Sequence, residues 1–212
     1  KTLNSDLKKL QQEKVDAVFI PTANELYKKN QHNYWFDTPL SLKLEGKSRP
    51  LFFKGVTMIV HKLFKIIEPT HTVFGKKDAQ QLLIIKEMIK HNNYGIKMIA
   101  APVVRSNRGL ALSSRNSYLN TKEIKIAQNI YLGLLKIKSC LDLGKKDSAA
   151  LKNTFVAHIK QFDELAIDYI SIACEKSLDE IVGSVNQKAL ISTAVFLNNV
   201  RLIDNLSYSP ST

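Results

Sequence analysis

The chain has 212 residues, 44% of them hydrophobic and 24% charged, a globular composition with room for one large domain or two modest ones, which excludes disordered and low-complexity classes. With 8 glycines, 6 prolines and only two cysteines, Cys140 and Cys174, collagen-like designs, disulfide frameworks and cysteine metal sites drop out as well. The formal charge of +12, from 31 Lys+Arg against 19 Asp+Glu, favours anionic partners; the lysines are spread along the chain without a basic stripe, so phosphate-bearing small molecules suit it better than nucleic acid.

Residues 6–13 begin as a polar helix, and residues 15–21 (V-D-A-V-F-I-P) form a short apolar run closed by Pro21, the pattern of a buried strand. Residues 22–38 are polar and irregular, with one helical turn at 24–28. Apolar residues at Val56, Ile59, Val60, Leu63, Phe64 and Ile67 have helical spacing and predict a helix over 55–67. Residues 70–74 (T-H-T-V-F) read as a strand, followed by Gly75-Lys76-Lys77-Asp78 and a second helix striped with Leu82, Leu83, Ile85, Met88 and Ile89. Asp78 and Gln81 stand three apart at its start, as in a capping box. Residues 96–104 are the next strand, and this rhythm predicts βαβ units with a parallel sheet.

After Arg105 the texture changes. Residues 106–116 form a polar loop; Asn120 and Glu123 make a second capping pair and open a helix ending near Gly144. A further helix covers 148–162, and strands follow at 166–173, 189–197 and 200–204. The fold class is therefore α/β: residues 1–105 a Rossmann-like parallel-sheet domain, residues 106–212 a smaller α+β domain with a small antiparallel sheet. No apolar run approaches the ~20 residues needed to span a bilayer, and no secretory signal is present, so a reduced, cytoplasmic setting is expected.

Two segments carry chemistry. Gly75-Lys76-Lys77-Asp78 places a glycine turn and a cation at a helix N-terminus, where unpaired N–H groups favour an anion; the Asp78 carboxylate can accept from ribose hydroxyls. A plain strand-to-helix loop with an aspartate cap explains the same four residues. Leu112-Ser113-Ser114-Arg115-Asn116 offers two hydroxyls and a guanidinium, the donors a triphosphate demands, and equally a helix-capping loop. Both lie at the carboxyl ends of consecutive strands, where open α/β sheets bind ligands. The histidines His32, His61, His71, His91 and His158 show no metal-binding spacing; His61, amid apolar helix neighbours, reads as a packed core residue, and the cysteines as small buried hydrophobes. Motifs for serine hydrolases, P-loop ATPases and NAD enzymes are absent.

The runs Leu44-Glu45-Gly46-Lys47-Ser48-Arg49-Pro50, Phe53-Lys54-Gly55-Val56, Phe74-Gly75-Lys76-Lys77-Asp78-Ala79-Gln80-Gln81-Leu82 and Gly109-Leu110-Ala111-Leu112-Ser113-Ser114-Arg115-Asn116 together resemble the pantothenate synthetase (pantoate–β-alanine ligase) family, over nearly the whole chain. Arg201-Leu202-Ile203-Asp204-Asn205 looks like the family's terminal strand. The resemblance implies a nucleotidyl-transferase type of Rossmann-like domain and ATP-dependent condensation of pantoate with β-alanine through a pantoyl adenylate, with Mg2+, in a homodimer. It implies that Gly75, Lys76, Lys77 and Asp78 surround ATP, with Lys77 on phosphate and Asp78 on the ribose. The Val104 backbone would meet adenine, and Leu112, Ser113, Ser114 and Arg115 would close over the phosphates, where Lys77, Ser113, Ser114 and Arg115 are the catalytic candidates. Gln81 would hold pantoate, Arg49 matches a motif arginine near the substrate pocket, and Asp6 falls where some members place an acidic residue near the metal.

The chain departs from the family pattern in carrying Lys76 where a glutamate is usual and Phe52 where a histidine is usual. It also lacks the H-x-G-H motif and an upstream glutamine, so roughly the first third of the family's length is expected to be missing, the Rossmann-like domain incomplete, and the chain alone to have little or no ligase activity. Two other readings stay open: a related nucleotidyltransferase with another substrate, and a truncated, non-catalytic binding or dimerisation module.

Overall fold

Short-range signals account for most of the elements in the computed structural model, which describes residues 3–27 and 34–210. Lys28 and His32, named above, lie outside these residues. The chain divides into two compact units, Lys1–Asn33 and Tyr34–Thr212. The first holds helix α1 (Leu3–Gln12), with Asp6 in its first turn, and a single helical turn, α2 (Ala23–Leu26), capped reciprocally by Thr22 and Glu25. The strand expected at 15–21 does not form. A strand exists only through hydrogen bonds to a neighbour, and among the described residues this run has no partner strand; Val18, Phe19 and Ile20 are exposed.

In the second unit a 3-10 turn (Pro39–Leu42) and the short helix α3 (Glu45–Ser48) lead into α4 (Phe52–Ile67), three residues longer at its start than expected. β1 (His71–Gly75) and β2 (Lys97–Ala101) pair in parallel, with Gly75 opposite Ala101 at the carboxyl end, and α5 (Ala79–His91) makes the crossover between them. β2 stops before the expected residue 104 because Pro102 has no N–H to continue a ladder. Ile85, Met88 and Ile89 of α5 pack with Phe64 of α4 in one core cluster.

The carboxy-terminal half follows expectation closely. Helix α6 (Thr121–Asp142) opens on the Asn120–Glu123 capping box, with the Glu123 N–H donating to Asn120 Oδ1 at 3.0 Å and the Asn120 N–H to Glu123 Oε2 at 2.8 Å. Helix α7 (Ser148–Ile159) packs with α6 on the antiparallel sheet β3 (Leu165–Cys174), β4 (Ala189–Leu197), β5 (Val200–Tyr208), in that strand order. β5 runs past residue 204 because β4 keeps pairing with it as far as Ala189 opposite Tyr208. Cys140 and Cys174 are free and only half-buried, less enclosed than expected. Both sheets fall within Tyr34–Thr212. A second core cluster ties Leu40, Phe53 and Ile84 to Leu178 and Leu190 from the antiparallel sheet region.

Candidate functional site

Where β1 ends, the chain makes a 3-10 turn, Lys76–Asp78, before α5 begins. Gly75 itself has φ −76° and ψ 134°, ordinary extended backbone, so the tight glycine turn expected here is not what the position needs. A side chain at Gly75 would meet nothing nearer than the Lys77 nitrogen at 4.0 Å. The glycine instead leaves open space beside the turn's backbone. The capping box expected of Asp78 and Gln81 is absent: Asp78 has φ −99° and ψ 58° and its carboxylate accepts no cap bond. A capping residue needs an extended backbone, and Asp78 already belongs to the turn. Its carboxylate is half-exposed and only loosely paired, 3.7 Å from Lys77 Nζ.

The turn borders a cleft of about 620 Å³ in which Lys77, Asp78 and Gln81 meet Arg49, Arg115 and Tyr169. An adjoining recess of about 320 Å³ is lined by Ser113 and Asn116 and again by Lys77 and Arg115. Lys77 and Arg115, one from each loop, border both recesses, whereas Asp78 lines only the first and Ser113 only the second. Ser113 caps the 3-10 helix Ser114–Tyr118, accepting from the Arg115 N–H at 3.2 Å, so the same loop carries a cap and a cation into the recess. Neither recess is lined by Gly75, Lys76, Val104, Leu112 or Ser114. Val104 and Leu112 are exposed and adjacent, joined by the Leu112 N–H to the Val104 carbonyl at 2.9 Å. Arg49 lays its guanidinium over the Phe52 ring, 3.7 Å from the centroid, so the phenylalanine that replaces the usual histidine still engages it.

The same cleft is lined by a network around Glu45, Tyr169, Arg201 and Asp204 that the sequence reading did not single out as site residues. Arg201 donates to both carboxylate oxygens of Glu45, at 2.6 and 3.0 Å, and to Asp168 at 2.7 and 3.0 Å. Burial weighs most on the Arg201 guanidinium and opposes its charge, yet the two carboxylates raise its pKa overall. Burial likewise pushes the Tyr169 phenol upward, reinforced by the neighbouring Glu45. Gln80 fixes the segment that supplies Glu45: its Nε2 donates to the Leu40 and Lys43 carbonyls at 2.6 and 2.7 Å, and its Oε1 accepts from the Glu45 N–H at 3.1 Å. On the other flank Arg105 grips Asp204 at 2.6 and 2.9 Å and stacks on Tyr131, 3.6 Å from the ring centroid. Burial raises the Asp204 pKa, with Arg105 pulling the other way. Two charged residues, Arg201 and Asp204, within an otherwise uncharged last strand are a signal that could have exposed these residues.

Among the described residues no three His, Cys, Asp or Glu side chains gather to hold a metal ion. Asp6 lies in the first unit, in the first turn of α1. No helix of the described residues is long and apolar enough to cross a membrane.

The family described as pantoate-beta-alanine ligase matches residues 1–207. The chain belongs to this family. It is 42% identical to pantothenate synthetases of Fervidobacterium nodosum and Thermosipho africanus, the alignments covering 96% of this chain and 72% and 73% of theirs. A crystal structure of pantothenate synthetase from Thermus thermophilus superposes with a TM-score of 0.91 at 32% identity, covering 97% of this chain and 74% of that one. The Francisella tularensis pantoate-beta-alanine ligase, complexed with beta-gamma ATP and beta-alanine, gives 0.73 at 29%, over 97% of this chain and 70% of that one.

Proposed function

We propose that the cleft binds ATP and pantoate and serves the condensation of pantoate with β-alanine. The pantoate carboxylate attacks the α-phosphorus and displaces pyrophosphate; the β-alanine amine then attacks the carbonyl of the pantoyl adenylate and displaces AMP. In both steps negative charge grows on oxygen, and preorganised cations and hydroxyls are the strongest lever on such barriers. The observation that carries the reading is a contrast in pairing. Arg201 and Arg105 are each locked onto carboxylates, whereas Lys77 has a loose contact with Asp78 and a longer-range pull on Asp204, and Arg115 makes no ion pair among the described residues. Two loops thus deliver cations with spare bonding capacity to one edge.

In this reading Lys77 and Arg115 take the phosphates with Ser113 and Ser114, and Asp78 takes the ribose. Gly75 and Lys76 border the nucleotide, the Val104 backbone and Leu112 flank its base, and Gln81 and Arg49 face pantoate. Residues 1–105 supply the ATP and pantoate floor and residues 106–212 the lid. Magnesium would arrive on the phosphate oxygens of the nucleotide, as it commonly does. The functional assembly is a homodimer, and residues 1–212 by themselves turn over slowly or not at all, because the H-x-G-H histidines that the family resemblance assigns to ATP are not among them.

Titration of the chain with ATP tests this directly. Lys77→Ala and Arg115→Ala should each weaken ATP binding at least tenfold. Asp78→Ala should weaken ATP but leave tripolyphosphate binding within twofold, and Gln81→Ala should spare ATP while losing pantoate. A chain that binds no ATP, or binds it equally well without Lys77 and Arg115, overturns the reading. Fast pantothenate formation by the chain alone would refute the inactivity.

A further inference from the structure

Asn205 lies on β5, 7% exposed, opposite Ser192 of β4. Its carboxamide nitrogen is 2.7 Å from the Lys77 carbonyl oxygen and 3.1 Å from that of Lys76. One NH2 group, with its two hydrogens, therefore engages two consecutive carbonyls of the Lys76–Asp78 turn, a turn that no side chain caps. In a trans peptide the N–H points opposite to the C=O. Holding both carbonyls toward β5 turns the N–H of Lys77 the other way, to the side left open by Gly75, where a side chain would find only the Lys77 nitrogen at 4.0 Å, while the Asp78 N–H closes the 3-10 turn on the Gly75 carbonyl.

Asn205 is itself held. Its N–H donates to the Asp204 carboxylate at 2.7 Å, and its carbonyl accepts from Arg105 at 3.2 Å. Arg105 also reaches the Gly109 carbonyl at 3.0 Å. Residues 204 and 205 thus join the turn after β1 to the loop that follows Arg105.

We propose that Asn205 is the positioning residue of the nucleotide loop: its carboxamide sets two successive peptide planes so that Lys77, with its backbone N–H, and the Asp78 side chain face the ligand. This rests on reading that turn as the ATP loop. Asn205 also borders the cleft; the role proposed for it acts through the turn.

The test has an arm that needs no nucleotide. In the ligand-free chain, Asn205→Asp sets a carboxylate of the same size against two carbonyl oxygens, and Asn205→Ala removes the donors without adding charge. Both should speed hydrogen exchange of the Asp78 and Ala79 amides, which close the 3-10 turn, at least tenfold while amides of β4 keep their protection. Unchanged exchange at Asp78 and Ala79 overturns the proposal, as does loss of β4 protection in both variants, which would make Asn205 a core residue of the sheet and no more. In the second arm, Asn205→Ala should weaken ATP binding at least tenfold in the otherwise native chain but less than twofold when Lys77 and Asp78 are already alanine. Independent, additive losses overturn the positioning role. Should the native chain bind no ATP, the functional reading falls, and the exchange arm still decides whether Asn205 sets the turn.

Discussion

Replacing Arg201 by methionine would keep most of the aliphatic stem and remove the guanidinium, stranding Glu45 in a nearly dry environment. The side chains of Arg201 and Glu45 are only 17% and 9% exposed, and that of Asp168, the third member, 22%. Breaking a buried pair by deleting one partner costs about 3–5 kcal/mol, mostly from the charge left behind. The lower end applies here, because Asp168 reaches solvent and the Tyr169 phenol lies beside Glu45. For a chain of this length about 3 kcal/mol corresponds to a fall in Tm of about 6–12 °C. Denaturant unfolding with a comparison of m-values separates this loss from a change in the unfolded state. The paired variant Glu45→Gln with Arg201→Met removes the stranded charge and should recover about half of the loss. A single variant within about 1 kcal/mol of the native chain would refute the argument, and so would a double variant no more stable than the single, since either shows the charges already hydrated.

His158 gives a pH signature. It is buried between α6 and α7 without a hydrogen-bond partner of good geometry for either ring nitrogen, and burial first, then the Lys136 charge, lower its pKa from the usual 6.5, with a weak opposing pull from the Asn129 backbone. A histidine whose pKa is depressed by folding favours the folded state fully above its unfolded value of 6.5 and loses that advantage as pH falls below it. His61 shifts in the same direction, through burial and then Lys65 and Lys62. Stability should therefore drop between pH 7 and 5, and His158→Phe should flatten the drop without abolishing it; an unchanged slope by urea unfolding counts against the assignment. Gly46 gives a packing prediction: a Cβ there would fall 1.9 Å from the Ser41 carbonyl oxygen, a backbone atom that cannot swing aside. Gly46→Ala should cost about 2–3 kcal/mol, the upper range for overpacking, and should disturb the Glu45–Arg201 pair one residue away; a Tm unchanged within 2 °C would show that the segment yields freely.

The elements readable in advance are those whose causes are local. The α6 start was legible because Asn120 and Glu123 carry both halves of a reciprocal cap, and β4 because a run of alternating β-branched and small apolar residues at 189–197 has no competing helical period. Residues 15–21 look like a strand by composition, yet a strand needs a neighbour that composition does not supply. Asp78 has the spacing of a cap and lacks the backbone for it. The Glu45–Arg201 pair spans 156 positions and the Asn205–Lys77 bond 128, so nothing within a window of sequence could have joined them. The candidate site was visible only where chemistry is concentrated in a short run, at residues 75–81 and 112–115, and there only its ligand-facing half.

That half and its support differ in one physical respect. Glu45, Asp168 and Asp204 are buried or half-buried acids, and each is matched by an arginine whose donors they consume. An acid left without such a partner, so close to the proposed phosphate edge, would repel an anionic ligand and would neutralise Lys77 or Arg115 instead. Arg201 and Arg105 therefore do more than join distant parts of the chain. By occupying the acids they keep Lys77 and Arg115 available, so the positive edge of the cleft depends on arginines whose own charge is already matched. The prediction for Arg201→Met follows from the same logic: the freed Glu45 should compete for cleft cations, so ATP affinity in that variant should fall further than its loss of folded population explains.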